Sequence, residues 1–177
     1  MGVALHQYLI KPRGPERLGK RVQAEEMVLL ILRWASGRLA GLTRLHKVAF
    51  LLQQETGLGE GITFEPHHYG PFSKDIARAI RSLRERGEIA VAEGLHGKFI
   101  VLTESGKRRA EETEHRLDPE LRETARIKAA TYSRAPLTYL LAYIYTRYPD
   151  HANFSKIGDK VRRWAEIYRL RATEGVS

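Results

Sequence analysis

Apolar residues recur at the spacing of an α-helix along most of the chain. In the first such segment Met27, Leu30, Ile31 and Trp34 fall at i, i+3, i+4 and i+7, which predicts a helix over 25–36. Similar apolar stripes predict six more helices, over 43–56, 73–86, 106–117, 120–132, 137–148 and 156–171. The hydrophobic pattern therefore describes a mostly helical protein.

Capping residues stand at the start of several of these helices. Thr43, Ser73 and Ser105 each precede a helical segment, and a hydroxyl at that position can accept a hydrogen bond from a free backbone N–H group. Asp75 in the first turn of the third helix suits the helix dipole. Asp118, followed by proline, is expected to end one helix and cap the next.

Three short segments have the character of β-strands. Residues 89–92 and 98–102 are expected to form two strands, because apolar residues there flank a glycine-containing turn at 94–97. Residues 62–64 are expected to form a very short third strand. The resulting order of helix, helix, helix, strand, strand and helix predicts an α+β, mostly helical fold.

This order of elements is typical of a winged helix-turn-helix followed by a helical C-terminal extension. The sequence thus predicts a basic flexible arm at 1–22, a winged helix-turn-helix domain at 23–117 and an extension at 118–177. The extension contains the most apolar helix of the chain, which something must bury. Either its own domain covers that helix, or a second copy does, and a homodimer would suit a palindromic DNA site.

Charge adds a polyanion to the list of expected partners. The 177 residues carry a formal net charge of +9, which favours nucleic acid first and a membrane surface second. Residues 1–58 and 128–177 each carry +5, whereas residues 59–106 carry −1. Either the flanking segments help to bind phosphates, or the local arrangement of charge within the central module carries the binding.

Several classes of protein are disfavoured by composition. The chain has no cysteine, which excludes disulfides, thiolate zinc sites and cysteine nucleophiles. No apolar run approaches the roughly 18 residues that a membrane span needs. Positive charge follows the apolar start of the chain instead of preceding it, so we expect no secretory signal and a cytoplasmic protein without membrane partners. A single asparagine among many charged residues is typical of thermophiles.

Metal binding and catalysis find no support in the motifs. His67 and His68 are adjacent, and His68 could meet His46 in space, but no histidine or carboxylate follows at i+3 or i+4 on either element. The chain has no Gly-x-Ser-x-Gly motif, no glycine-rich phosphate loop and no compact carboxylate pair in an apolar setting. We therefore expect neither a metal nor another cofactor, and we expect no enzyme activity.

The third predicted helix carries three aligned cations. Lys74, Arg78 and Arg81 are spaced at i, i+4 and i+7 and so share one face, opposite the apolar stripe. In a winged helix this face enters the major groove, where arginine can read guanine. Ser73 and its neighbouring N–H groups are expected to hold a phosphate. The plainer interpretation is a solvated helix face.

Four further residues complete the expected DNA-binding set. His96 and Lys98 lie at the tip of the predicted wing, where they can reach phosphate or the minor groove. Arg44 and Lys47, at the start of the second helix, are expected to lie near the DNA backbone. The leading hypothesis is therefore a transcriptional regulator that binds double-stranded DNA.

Two motifs together resemble a known family. Residues 45–52 resemble the Leu-x-Lys-hydrophobic-hydrophobic-Phe/Tyr-Leu helix of the Panacea (SocA-like antitoxin) domain, and residues 69–73 resemble its Tyr-Gly-Pro turn. Uncharacterised archaeal winged-helix proteins are similar in both motifs and in the tyrosine-rich element at 143–149. The resemblance covers roughly residues 25–160.

The resemblance implies an alternative function. SocA-like domains act as antitoxins and adaptors, so the family implies a protein-binding module, with a partner such as a toxin, that does not bind DNA. The chain departs from the family in its clear wing and in its Leu-Thr-x-x-Gly ending at 102–106, which resemble DNA-binding regulators. His46 stands where the family often has glutamine.

Overall fold

The computed structural model describes residues 21–151 and 156–170, and within them the protein is mixed α and β and mostly helical. Residues 1–20 of the predicted arm and the predicted helix end near residue 171 lie outside these ranges. A short 3-10 helix, Pro149–His151, precedes the last α-helix. The elements follow in this order: α1 (Ala24–Trp34), β1 (Arg38–Ala40), α2 (Leu42–Thr56), α3 (Lys74–Glu85), β2 (Ile89–Gly94), β3 (Gly97–Leu102), α4 (Glu104–His115), α5 (Pro119–Arg134), α6 (Leu137–Arg147) and α7 (Gly158–Ile167).

All seven helices expected from the hydrophobic pattern are present, and two of the expected caps are confirmed. The hydroxyl of Ser73 accepts a hydrogen bond of 3.2 Å from the N–H group of Ile76 and so caps α3. Asp118 accepts a hydrogen bond of 3.2 Å from the N–H group of Leu121, and Pro119 begins α5 as its first residue. Both helices therefore start where the sequence placed them.

The other two expected caps are wrong. Helix α2 begins one residue earlier than expected, at Leu42, because Gly41 with φ of +80° turns the chain directly from β1 into the helix. Thr103 caps α4 in place of Ser105, and its hydroxyl accepts a hydrogen bond of 3.2 Å from the N–H group of Gly106.

A three-stranded antiparallel sheet has the order β1-β3-β2. The hairpin of β2 and β3 turns through Leu95 and His96, as expected from its sequence. Strand β1 was not expected, because three residues with one buried side chain give no periodic signal. The strand expected at 62–64 does not form, and the chain makes an isolated bridge between Glu65 and Phe72 instead.

Helix α2 lies at the centre of the hydrophobic core. Every residue of it from Leu45 to Leu52 is buried. The core runs from α1 through α2 and α3 to the C-terminal helices, where Leu140, Ile144 and Val161 belong to the same cluster. The apolar stripe of α6 is thus covered by the chain itself, and homodimerisation stays a prediction. No helix in the described residues has the length and apolar character that a membrane crossing requires.

A buried carboxylate joins the C-terminal helices to α2. Glu55, whose side chain is 10% exposed, accepts hydrogen bonds from Lys128 at 2.6 Å, Tyr132 at 2.7 Å and Tyr143 at 2.9 Å. Burial alone would raise the pKa of Glu55, but the hydrogen bonds from Lys128 and the two tyrosines outweigh it and lower that pKa. One ionised side chain therefore holds α2, α5 and α6 together.

A second ionic cluster holds the C-terminal end of α3. Glu25 on α1 accepts hydrogen bonds from Arg86 at 2.6 Å and from Arg109 on α4 at 2.9 Å. Glu88 binds the same Arg109 at 2.6 Å. The hydrogen bond from Arg86 is the main reason why the pKa of Glu25 falls to about 2. Helices α1, α3 and α4 therefore share one set of charges.

Replacing Glu55→Gln is expected to lower the free energy of unfolding by about 2 kcal/mol, because it leaves Lys128 as a charge without its buried partner. Urea denaturation followed by circular dichroism measures the change. The matched control is Glu123→Gln on α5, whose carboxylate forms an exposed ion pair with Arg126 and whose loss should leave the denaturation midpoint unchanged. Equal effects of the two substitutions would contradict a structural role for the buried cluster.

Candidate nucleic-acid interface

Helix α3 presents one buried face and one exposed cationic face. Ile76, Ala79 and Leu83 are buried in the core and fix the rotation of the helix about its axis. Lys74, Arg78 and Arg81 lie on the opposite face and are exposed, as their spacing predicted. The structure therefore brings the three aligned cations together on the surface of the protein.

Two of these three cations are paired with nearby carboxylates. Lys74 lies 3.3 Å from Glu65, and Arg78 lies 2.7 Å from Asp75, in both cases measured between the charged atoms. Arg81 has no hydrogen-bond or ionic partner among the residues that the structure describes. Since exposed ion pairs contribute little free energy, a phosphate can replace either carboxylate at low cost.

Asp75 also fixes the loop that precedes α3. The N–H group of Thr63 donates a hydrogen bond of 2.9 Å to the carboxylate of Asp75. This backbone hydrogen bond, followed by the one from Arg78, lowers the pKa of Asp75. The first turn of α3 therefore keeps an ionised carboxylate beside its cationic face.

The hairpin of β2 and β3 places the two expected wing residues at its exposed tip. His96 lies in the turn, and Lys98 lies on the first part of β3, with its ammonium 3.8 Å from the carboxylate of Glu93. Leu95, the other turn residue, is completely exposed. Beyond Ile89 every residue of β2 is exposed, so the tip is held mainly by the pairing of β2 with β3.

The structure corrects the expectation that Ser73 binds a phosphate. Ser73 is completely buried, and its hydroxyl is occupied by the cap of α3. Its backbone N–H group donates to Nδ1 of His46 at 3.2 Å, so that group is also engaged. The turn at 69–73 packs against α2 and thereby encloses the residue that begins α3.

Lys47 and Arg44 are corrected as well, because α2 turns both of them inward. Lys47 is 3% exposed, and its ammonium donates a hydrogen bond of 2.9 Å to the carbonyl oxygen of Pro71. Arg44 is half-buried and donates to the carbonyl oxygen of Ala135, between α5 and α6. Neither side chain lies with the cations of α3, so the exposed members of the expected set are Lys74, Arg78, Arg81, His96 and Lys98.

His46 is a buried polar residue whose role the sequence did not reveal. Its ring stacks on Phe72 with 4.5 Å between ring centroids. Burial, and then the charges of Lys47 and His67, lower the pKa of His46 to about 4, so the ring is neutral at pH 7. Burial likewise lowers the pKa of Lys47 to about 8. The sequence carried one indication of this burial, because two polar residues interrupt an otherwise apolar stretch of helix at 45–52.

The histidine cluster is a packing arrangement within the described residues. The rings of His67 and His68 lie 5.2 Å apart, and His67 also lies 5.4 Å from Phe72. Across residues 21–151 and 156–170, no three histidine, cysteine or acidic side chains converge at distances suited to a metal ion.

The buried, neutral state of His46 predicts a specific dependence of stability on pH. The unfolded chain protonates this histidine near its ordinary pKa of 6.5, whereas the folded protein protonates it only near 4, so stability falls as pH falls through that interval. His46→Gln keeps an acceptor for the N–H group of Ser73 but cannot titrate. We expect the variant to lose about 2 kcal/mol less unfolding free energy than the wild type between these two pH values.

Urea denaturation at several pH values measures this difference. The matched control is His115→Gln at the exposed end of α4, which should leave the pH dependence of the wild type unchanged. Parallel stability curves for the wild type and His46→Gln would contradict a buried neutral His46.

Comparison with known proteins adds no family to this description. The chain matches no protein-family model and no curated protein. The function is therefore inferred from the residues themselves and from the surfaces that they form.

Proposed function

We propose that the protein is a winged-helix transcriptional regulator that binds double-stranded DNA through α3. The observation that carries the proposal is the exposed row of Lys74, Arg78 and Arg81 on a helix that a hairpin follows directly. The order α1-β1-α2-α3-β2-β3, with the sheet order β1-β3-β2, supports a winged-helix architecture. Strand β1, which the sequence did not predict, supplies the third strand of the sheet that such a module uses.

In this proposal the cationic face of α3 enters the major groove. Arg78 and Arg81 extend from the middle of the helix, where a guanidinium can donate two hydrogen bonds to one guanine. Lys74 lies in the first turn, where the N-terminal end of a recognition helix approaches the DNA. On binding, a phosphate replaces Glu65 as the partner of Lys74, and a guanine replaces Asp75 as the partner of Arg78.

The hairpin tip supplies the second contact of the proposed complex. Lys98 can bind a phosphate beside the major groove. His96, in the hairpin turn, can reach the same DNA strand. Because the module from 59 to 106 is nearly neutral, the basic segments on either side of it add long-range attraction to DNA. Specific contacts and overall attraction thus come from different parts of the chain.

The double variant Arg78→Ala/Arg81→Ala is expected to weaken duplex binding at least about tenfold at physiological salt. On random-sequence duplex the two arginines contact phosphates, so their loss should also reduce the slope of log affinity against log salt concentration by about 2. Gel-shift titrations with random-sequence duplex at about 50 mM and about 200 mM salt measure both quantities.

The matched control is Arg162→Ala/Arg163→Ala, which removes the same charge from the exposed side of α7. This control should lower the affinity for duplex much less than the α3 double variant does, and it should keep most of the salt dependence of the wild type. If the α3 double variant binds duplex as the wild type does at both salt concentrations, α3 is not the DNA-binding helix.

A protein-binding module is the second candidate function. It is favoured by Leu42 and Tyr69, two apolar side chains that are 52% and 47% exposed beside α3. Such a module would dock a partner on α3 and would not bind DNA. The gel shift separates the two functions, since an absence of duplex binding by the wild type at low salt contradicts the DNA-binding proposal and favours a protein partner.

A further inference from the structure

A groove of about 270 Å³ runs along one flank of α3, beside the cationic face. The start of α2, the turn at 69–73 and the middle of α3 form its walls. That volume corresponds to roughly nine molecules of liquid water. A ligand that fills the groove would therefore have about ten non-hydrogen atoms. The groove is lined chiefly by Leu42, Lys47, Tyr69, Phe72, Ala77 and Ile80.

The walls of the groove are mainly apolar. Phe72, Ala77 and Ile80 are partly buried along its length, and exposed Leu42 and Tyr69 also line it. Apolar walls with a few placed polar groups are typical of small-molecule sites. A flat hydrocarbon body would replace water along these walls.

Lys47 supplies a buried positive charge in this apolar setting. Its ammonium carries three N–H groups, and among the described residues only the carbonyl oxygen of Pro71 accepts from it, at 2.9 Å. A buried charge is costly unless an opposite charge pairs with it. Lys47 is therefore only partly satisfied by the protein.

Several polar residues of the groove can donate hydrogen bonds to an anion. Its other polar residues include Thr43, His46 and His67, and no aspartate or glutamate among the described residues lines it. Because Nδ1 of His46 accepts a hydrogen bond from Ser73, its Nε2 carries the hydrogen and is a donor. The groove thus combines an ammonium and an imidazole donor with hydrocarbon walls.

We propose that this groove binds a small monocarboxylic acid with an apolar, ring-sized body. The carboxylate pairs with the ammonium of Lys47, and the apolar body lies against Phe72 and Ile80. The site requires no DNA, so it stands or falls independently of the proposed function.

The proposal is tested by NMR titration of the ¹⁵N-labelled full-length protein without DNA, with benzoate as the probe. We expect saturable shifts at the amides of Phe72, Ala77 and Ile80, with a dissociation constant of about 1 mM. Benzamide, which has the same shape without the charge, should bind at least about tenfold more weakly. Acetate, which has the charge without the ring, should bind as weakly as benzamide.

Two variants assign the binding to this groove. Lys47→Gln keeps a donor for the carbonyl oxygen of Pro71 but removes the charge, so the preference for benzoate over benzamide should disappear. Ala77→Leu fills the groove from α3 and leaves Lys47 in place, so binding of benzoate should be lost. The matched control, Ala92→Leu on the exposed strand β2, should bind benzoate as the wild type does.

Three results would overturn the proposal. One is a lack of saturable shifts at the groove residues of the wild type, and another is equal affinity for benzoate and benzamide. The third is binding of N-acetylphenylalanine more than about tenfold tighter than benzoate, which would assign the groove to a peptide carboxyl terminus. The comparison of benzoate with benzamide uses the wild type, and Ala77→Leu retains the charge of Lys47. The test therefore does not depend on the folding of Lys47→Gln.

Discussion

The burial of α2 on every side is the constraint on which the rest of the structure depends. From Leu45 to Leu52 every residue of this helix is buried, yet the helix carries polar groups near both ends. A polar group withdrawn from water must find a hydrogen-bond partner within the protein, or its burial costs several kcal/mol. The elements around α2 are therefore positioned by two requirements at once, since they cover its apolar surface and satisfy its polar atoms.

Each end of α2 organises a different part of the molecule. Near the N-terminal end, His46 and Lys47 bind the backbone of the turn at 69–73, and that turn carries Ser73, which caps α3. Near the C-terminal end, Glu55 binds side chains of α5 and α6. The position of the cationic helix and that of the C-terminal helices thus both depend on buried polar atoms of one helix.

The sequence predicted the helices, two of their caps and the hairpin, because periodicity and capping are local properties. It also predicted which residues of α3 are exposed, since one buried stripe fixes the opposite face.

The sequence-based prediction failed where tertiary contacts decide the outcome. Lys47 and Arg44 were expected on the surface because an amphipathic helix has a solvated face, but α2 has none between Leu45 and Leu52, and Arg44 bonds to the backbone of Ala135. Ser73 was correctly identified as a cap, and its burial followed from the turn that packs over it. Strand β1 exists only through pairing with β3, which no local pattern of three residues can reveal.

The hairpin of β2 and β3 contrasts with α2. Beyond Ile89 every residue of β2 is exposed, and pairing with β3 is the main support of the tip. Substitutions there change the outer surface of the protein at almost no cost in folding free energy, whereas a substitution on α2 disturbs several elements together. Under selection, the tip can therefore diversify in sequence from one relative to another while α2 stays nearly fixed. The exposed hairpin tip is thus free to change in sequence, whereas the buried helix α2 specifies the fold.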